Sequence, residues 1–128
     1  MSNPKELKYT KDHEWVRLEG SKATIGITDY AQGKLGDVVF VELPAVGDEF
    51  ALGDAVANIE SVKAVSEVYT PVGGRVVEIN DELESSPEAV NKDAFGAGWI
   101  FAIELEDPAT VEGLLSAEEY EQLVAEEE

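Results

Sequence analysis

Between Gly36 and Asn91 the chain carries one lysine, Lys63, and one other cation, Arg75, against twelve carboxylates. Lys63 lies between two strand-like runs, Asp54 to Glu60 and Ala64 to Tyr69, so it belongs at or near a hairpin bend. An amine at such a tip has two readings. A solvated turn lysine needs no function. A tip lysine is also where a protein carries a swinging prosthetic group, because the amine must be reached by a modifying enzyme while the backbone beneath keeps one shape. Acylation removes the charge and leaves a long arm. Tight two-residue hairpin turns favour Asn-Gly or Asp-Gly, and Ser61-Val62-Lys63-Ala64 offers neither. The bend is therefore expected to be wider than two residues, or its strands offset.

The other residue types narrow the chemistry. The 128 residues include no cysteine, which removes disulfides, thiolate nucleophiles and Cys-ligated zinc or iron–sulfur sites. The single histidine, His13, excludes a multi-His metal site and would have to serve any Ser-His-Asp triad. Most common catalytic kits are thereby removed, and no metal is expected. A net charge of −19 repels nucleic acid, whose phosphates need Lys and Arg, and disfavours anionic membrane surfaces. The same charge keeps a protein soluble and steers it towards basic partners. The longest apolar runs, such as Val38 to Val41, have strand length, far short of a membrane span. Met1 to Glu6 shows neither a signal-peptide apolar region nor an Arg-rich transit pattern. A cytoplasmic chain is expected, with a mature mitochondrial one as the alternative.

The elements that must position Lys63 are short. Glu14 to Leu18 and Lys22 to Ile27 read as strands around a Glu19-Gly20-Ser21 turn. Thr28-Asp29 reads as the cap of a short helix through Gln32, with Gly33 just past its end. Asp37 to Leu43 is a buried strand stopped by Pro44. After Pro71 to Gly74 a strand resumes from Arg75 to Ile79. Ser86-Pro87 reads as a helix start, Ala94 to Gly98 as loop, and Trp99 to Leu105 as a strand. Ser116 to Glu119 is a capping box opening a helix to about residue 125, with Tyr120, Leu123 and Val124 on its apolar face. Many short strands with Gly and Pro turns predict a mainly β fold, a flattened barrel-sandwich hybrid of antiparallel strands with a few short helices and a C-terminal helix. One domain over 1–128 is expected, its core hairpin at about 53–79.

The segment Gly53-Asp54-Ala55-Val56-Ala57-Asn58-Ile59-Glu60-Ser61-Val62-Lys63-Ala64, with its return through Gly74, resembles a lipoyl-attachment motif. Glu60-Ser61-Val62-Lys63-Ala64 is similar to the string of the glycine cleavage H-protein family, whereas other lipoyl domains usually have Asp before the lysine and biotin carriers flank it with Met. Tyr9 to Val16, Gly26 to Gln32, Leu35 to Pro44, Gly98-Trp99 and the acidic C-terminal helix resemble that family in order, over roughly residues 7 to 125. Ala94 to Ala97, Gly73 and Arg75 depart from its usual residues.

The resemblance implies lipoate in amide linkage to Lys63, with Glu60, three residues before it, and Gly74, eleven after, helping a lipoate ligase or lipoyl transferase recognise the hairpin. It also implies that the loaded arm docks in a cleft near Glu14 and Glu67, for which a pair of solvated carboxylates is the plain alternative. The arm would take an aminomethyl group from the pyridoxal-phosphate glycine decarboxylase and give it to the tetrahydrofolate-dependent aminomethyltransferase. Dihydrolipoyl dehydrogenase would reoxidise it. The chain would then be a monomeric carrier and not an enzyme. Competing readings are a lipoyl or biotinyl domain of another complex, a lipoyl relay protein, an acidic binding module, and an enzyme using Glu14 and Glu67 as an acid/base pair.

Overall fold

The structure, a computed structural model, describes residues 4–127; Met1, Ser2, Asn3 and Glu128, counted in the expected domain, lie outside the described residues. The elements run β1 (Lys8–Tyr9), β2 (Glu14–Glu19), β3 (Lys22–Ile27), α1 (Asp29–Leu35), β4 (Val38–Glu42), β5 (Glu49–Phe50), β6 (Ala55–Ser61), β7 (Val65–Tyr69), β8 (Gly74–Ile79), α2 (Glu82–Ser85), α3 (Ala89–Lys92), β9 (Phe101–Leu105), a 3-10 helix (Pro108–Gly113) and α4 (Ala117–Glu127). They form two antiparallel sheets, one of six strands in the order β1-β2-β3-β9-β8-β5 and one of three in the order β4-β6-β7. The fold is mainly β with a C-terminal helix, as the sequence predicts, and neither sheet closes on itself.

One cluster of buried apolar side chains draws on both sheets, with Val16, Ile25 and Ile103 from the larger and Val41, Ile59 and Val68 from the smaller. Burial of each such side chain contributes about 1.5–3 kcal/mol before entropy is counted. A second cluster joins Leu7, Tyr9 and Trp15 to Ala117 and Tyr120 of α4. Tyr9 and Tyr120 stack with centroids 4.9 Å apart, and the Trp15 indole donates to the Ala94 carbonyl at 2.9 Å. The capping box forms reciprocally: Ser116 N–H donates to Glu119 Oε1 at 2.9 Å, and Glu119 N–H to Ser116 Oγ at 3.2 Å. Tyr120 is fully buried, while Leu123 and Val124 are half-buried.

Several boundaries differ from the sequence reading. Thr28 caps α1 as expected, accepting from Ala31 N–H, but the helix runs through Gly33 to Leu35. A mid-helix glycine costs only about 1 kcal/mol. The stop is Gly36, whose φ of 82° ends the helix in the region where a side chain is strained. Ser86-Pro87 forms a turn, with Ala89 N–H donating to Ser86 O, and α3 starts after Glu88 without a side-chain cap. The strand expected from Trp99 begins at Phe101. The helix α2, the two-residue strands β1 and β5 and the 3-10 helix were not predicted, being too short to show a period.

Candidate functional site

Lys63 is exposed at the connection between β6 and β7. Glu60 pairs with Val65 in register, so only Val62 and Lys63 lie outside Ser61 and Ala64. The turn is therefore the tight two-residue kind, in register, contrary to the wider or offset bend expected. The reason is Ser61. Its N–H donates to Ala64 O at 2.8 Å, and its Oγ accepts from Ala64 N–H at 3.0 Å and Lys63 N–H at 3.3 Å. The hydroxyl does the work that a backbone carbonyl does in an Asn-Gly turn, so no left-handed residue is needed.

A floor lies beneath the hairpin. Val62 N–H donates to Asp37 O at 3.0 Å, and Val38 pairs with Ser61. A methyl group built on Gly36 would stand 3.3 Å from Lys63 Cε, so the lysine stem passes over bare backbone there. Leu35, one residue earlier, lines a surface cleft of about 420 Å³ together with Ile27, Ala31, Tyr30, Lys34, Ser66, Glu67, Asp12, His13, Glu14 and Glu127. Glu14 and Glu67 thus meet in one cleft, although they come from different sheets. A more apolar groove of about 530 Å³ shares Asp12 and Glu14 with it and continues over Tyr69, Pro71 and Leu114. The cleft holding Leu35 is the one adjoining the floor on which the lysine stem lies.

The two carboxylates differ sharply. Glu67 is exposed, and Glu14 is 2% exposed. Glu14 pairs with Ile27 across β2 and β3, on the same face as the buried Val16 and Ile25. Its Oε2 accepts from Tyr69 N–H at the end of β7 at 2.7 Å, and its Oε1 from the Thr10 hydroxyl at 3.1 Å. Burial outweighs both hydrogen bonds and pushes its pKa from 4.5 up to about 7. Glu14 is thus no solvated carboxylate. It sits at the cleft wall where the two sheets meet, neutral or ionised according to small changes near it.

The other residues singled out in the sequence fall elsewhere. Glu60 is half-buried in the hairpin, in one cross-strand row with Phe40 and Val65. Gly74 opens β8 in the larger sheet, buried and paired with both Leu105 and Phe50. A Cβ on Gly74 would be 2.0 Å from Glu104 O, so close strand approach by itself demands glycine there. Sequence reasoning missed His13 and Glu127 in the cleft. His13 Nδ1 is 2.8 Å from Tyr120 Oη and Nε2 is 3.1 Å from Glu127 Oε1, contacts across more than a hundred residues that no local pattern signals. It also missed Ser61, for which the Ser at the first turn position was a usable signal.

These features suit a lipoyl group on this chain: an amine free of the core, on a rigid tip, its stem directed over glycine beside a cleft with an apolar floor and a carboxylate wall. No group of three or more possible metal ligands occurs among the described residues, and no described helix is long and apolar enough to cross a membrane. The family model for the glycine cleavage H-protein matches residues 7–127. Glycine cleavage system H proteins of Staphylococcus haemolyticus and Staphylococcus saprophyticus are each 55% identical over 126 residues, covering 98% of this chain and all of theirs. A crystal structure of a glycine cleavage system H protein from Mycobacterium marinum superposes with a TM-score of 0.88 at 35% identity, covering 96% of this chain and 99% of that one. The chain belongs to the glycine cleavage H-protein family, and so is a carrier subunit rather than an enzyme.

Proposed function

We propose that this protein carries lipoate in amide linkage on Lys63 and shuttles the aminomethyl group of glycine from a pyridoxal-phosphate glycine decarboxylase to a tetrahydrofolate-dependent aminomethyltransferase. Dihydrolipoyl dehydrogenase then reoxidises the arm. The observation that carries the reading is the exposed Lys63 on a two-residue turn tied by Ser61, its stem lying over Gly36. A bound lipoyl group would supply the sulfur chemistry; the chain supplies a tether and an orientation.

Each residue then has a task. Ser61 holds the tip in one shape for a lipoate ligase or lipoyl transferase, and Glu60 is the side chain read beside it. Gly74 serves recognition indirectly, by letting β8 lie close on β9. The cleft beside Leu35 would receive the loaded arm, with Ile27, Ala31 and Leu35 as the apolar surface that would shield its linkage from water. Glu14, once ionised, would accept a charge-assisted hydrogen bond from a cationic group on a docked arm, and such a cation would in turn favour its ionised form. Glu67 adds negative charge at the mouth of the same cleft. The carrier acts as a monomer in the cytoplasm, in one carrier domain.

The test is intact mass and peptide mapping before and after incubation with lipoate, ATP and a lipoate ligase. One lipoyl group is expected, mapped to Lys63 and absent in Lys63→Arg. A folded chain that gains none sinks the reading.

A further inference from the structure

Asn91, on α3, lies outside the cleft and outside the hairpin, yet its carboxamide is fully committed to the floor beneath Lys63. Its Oδ1 accepts from Val38 N–H at 2.8 Å, and its Nδ2 donates to Gly36 O and to Gln32 Oε1, both at 2.9 Å. The backbone groups fix which end is which, since Val38 N–H needs an oxygen and Gly36 O needs an N–H. In the order β4-β6-β7, β4 is an edge strand. The carboxamide bonds Gly36 O and Val38 N–H, two residues apart, as a further strand would. Asp37 O, between them, accepts from Val62 N–H on the other side. The segment Gly36 to Val38 is thus held between Asn91 and the residue preceding the lysine.

We propose that Asn91 is a positioning residue for the modification of Lys63. It pins Gly36 to Val38, that segment pins Val62, and the lysine stem lies on the bare backbone of Gly36. Without the carboxamide the edge of β4 loosens at its first residue, and the amine samples more directions while remaining exposed. This inference rests on the reading of Lys63 as the lipoyl site.

The experiment compares Asn91→Asp, which puts lone pairs against Gly36 O and Gln32 Oε1, and Asn91→Ala, which removes all three bonds, with the wild type. Lipoylation by a lipoate ligase with lipoate and ATP is followed at varied carrier concentration, as rate per folded molecule, the folded fraction coming from urea curves. Because the hairpin face that meets the enzyme is unaltered, kcat should fall about tenfold with KM within twofold. Acetylation of Lys63 by a small acetylating reagent should keep its rate, and amide exchange should quicken at Val38 and Val62. A kcat per folded molecule within twofold of wild type in both variants, or a loss lying wholly in KM, overturns the role of Asn91 while leaving Lys63 as the site. A wild-type chain that is not lipoylated at all overturns the site reading, and this inference with it.

Discussion

Replacing Glu14 with glutamine should change how stability depends on pH. In the fold Glu14 is buried, and its pKa rises from 4.5 to about 7 because burial penalises the carboxylate more than Tyr69 N–H and Thr10 compensate it. The native state therefore holds a proton that the unfolded chain releases, and stability falls as pH rises from about 4.5, levelling above about 7. Roughly 2.5 pH units at about 1.4 kcal/mol each amounts to about 3.5 kcal/mol over the whole window, of which the part below pH 5 falls outside the comparison. Glutamine has nearly the same shape, does not titrate, and its carbonyl still accepts from Tyr69 N–H. Urea unfolding of both proteins at pH 5, above the pI of about 4.1, and at pH 8.5 gives the comparison. The stability of Glu14→Gln minus that of wild type should grow by roughly 2–3 kcal/mol between these pH values. Every other titrating group is present in both proteins and cancels. A difference constant to within about 0.5 kcal/mol, inside ordinary additivity error, would mean that Glu14 is ionised throughout and that water or motion at the cleft wall relieves its burial.

Gly26→Ala places a methyl 2.7 Å from the Trp15 ring, which its bond to Ala94 O anchors. Stability should drop by about 1–3 kcal/mol as overpacking, read as a lower urea midpoint at unchanged m; an unchanged midpoint would mean the ring shifts freely. With a net charge of −19, capture by basic partner surfaces should be steered at long range. Partner KM should rise roughly tenfold between about 0.05 and 0.5 M salt, and a KM indifferent to salt would remove electrostatic steering.

The sequence by itself determined the fold class and the family, and it singled out Lys63. Period-two runs between Gly and Pro turns report which faces are buried, and that information is local. The string from Glu60 to Ala64, with its flanks in order, is local too, so Lys63 stood out without coordinates. The C-terminal helix was legible because a capping box states its own start, and the two side-chain bonds form just as the spacing requires. Short elements escaped, since a two-residue strand such as β5 or a single turn such as α2 has no period to detect.

What only the tertiary structure decided is the environment of the charged groups. Glu14 and Glu67 look alike in the sequence, yet one faces the core beside Ile27 and the other faces solvent, because register and sheet packing assign the faces. Trp15, the strongest apolar residue nearby, points to the opposite face and masks the alternation that would have placed Glu14 inward. The tight turn depended on the Ser61 hydroxyl replacing a carbonyl, a substitution invisible to rules based on backbone preference. Asn91 reaches Gly36 across 55 residues, and His13 reaches Glu127 across 114. Such contacts exist only once the core has brought distant segments together, since hydrogen bonds this specific follow burial and do not direct it.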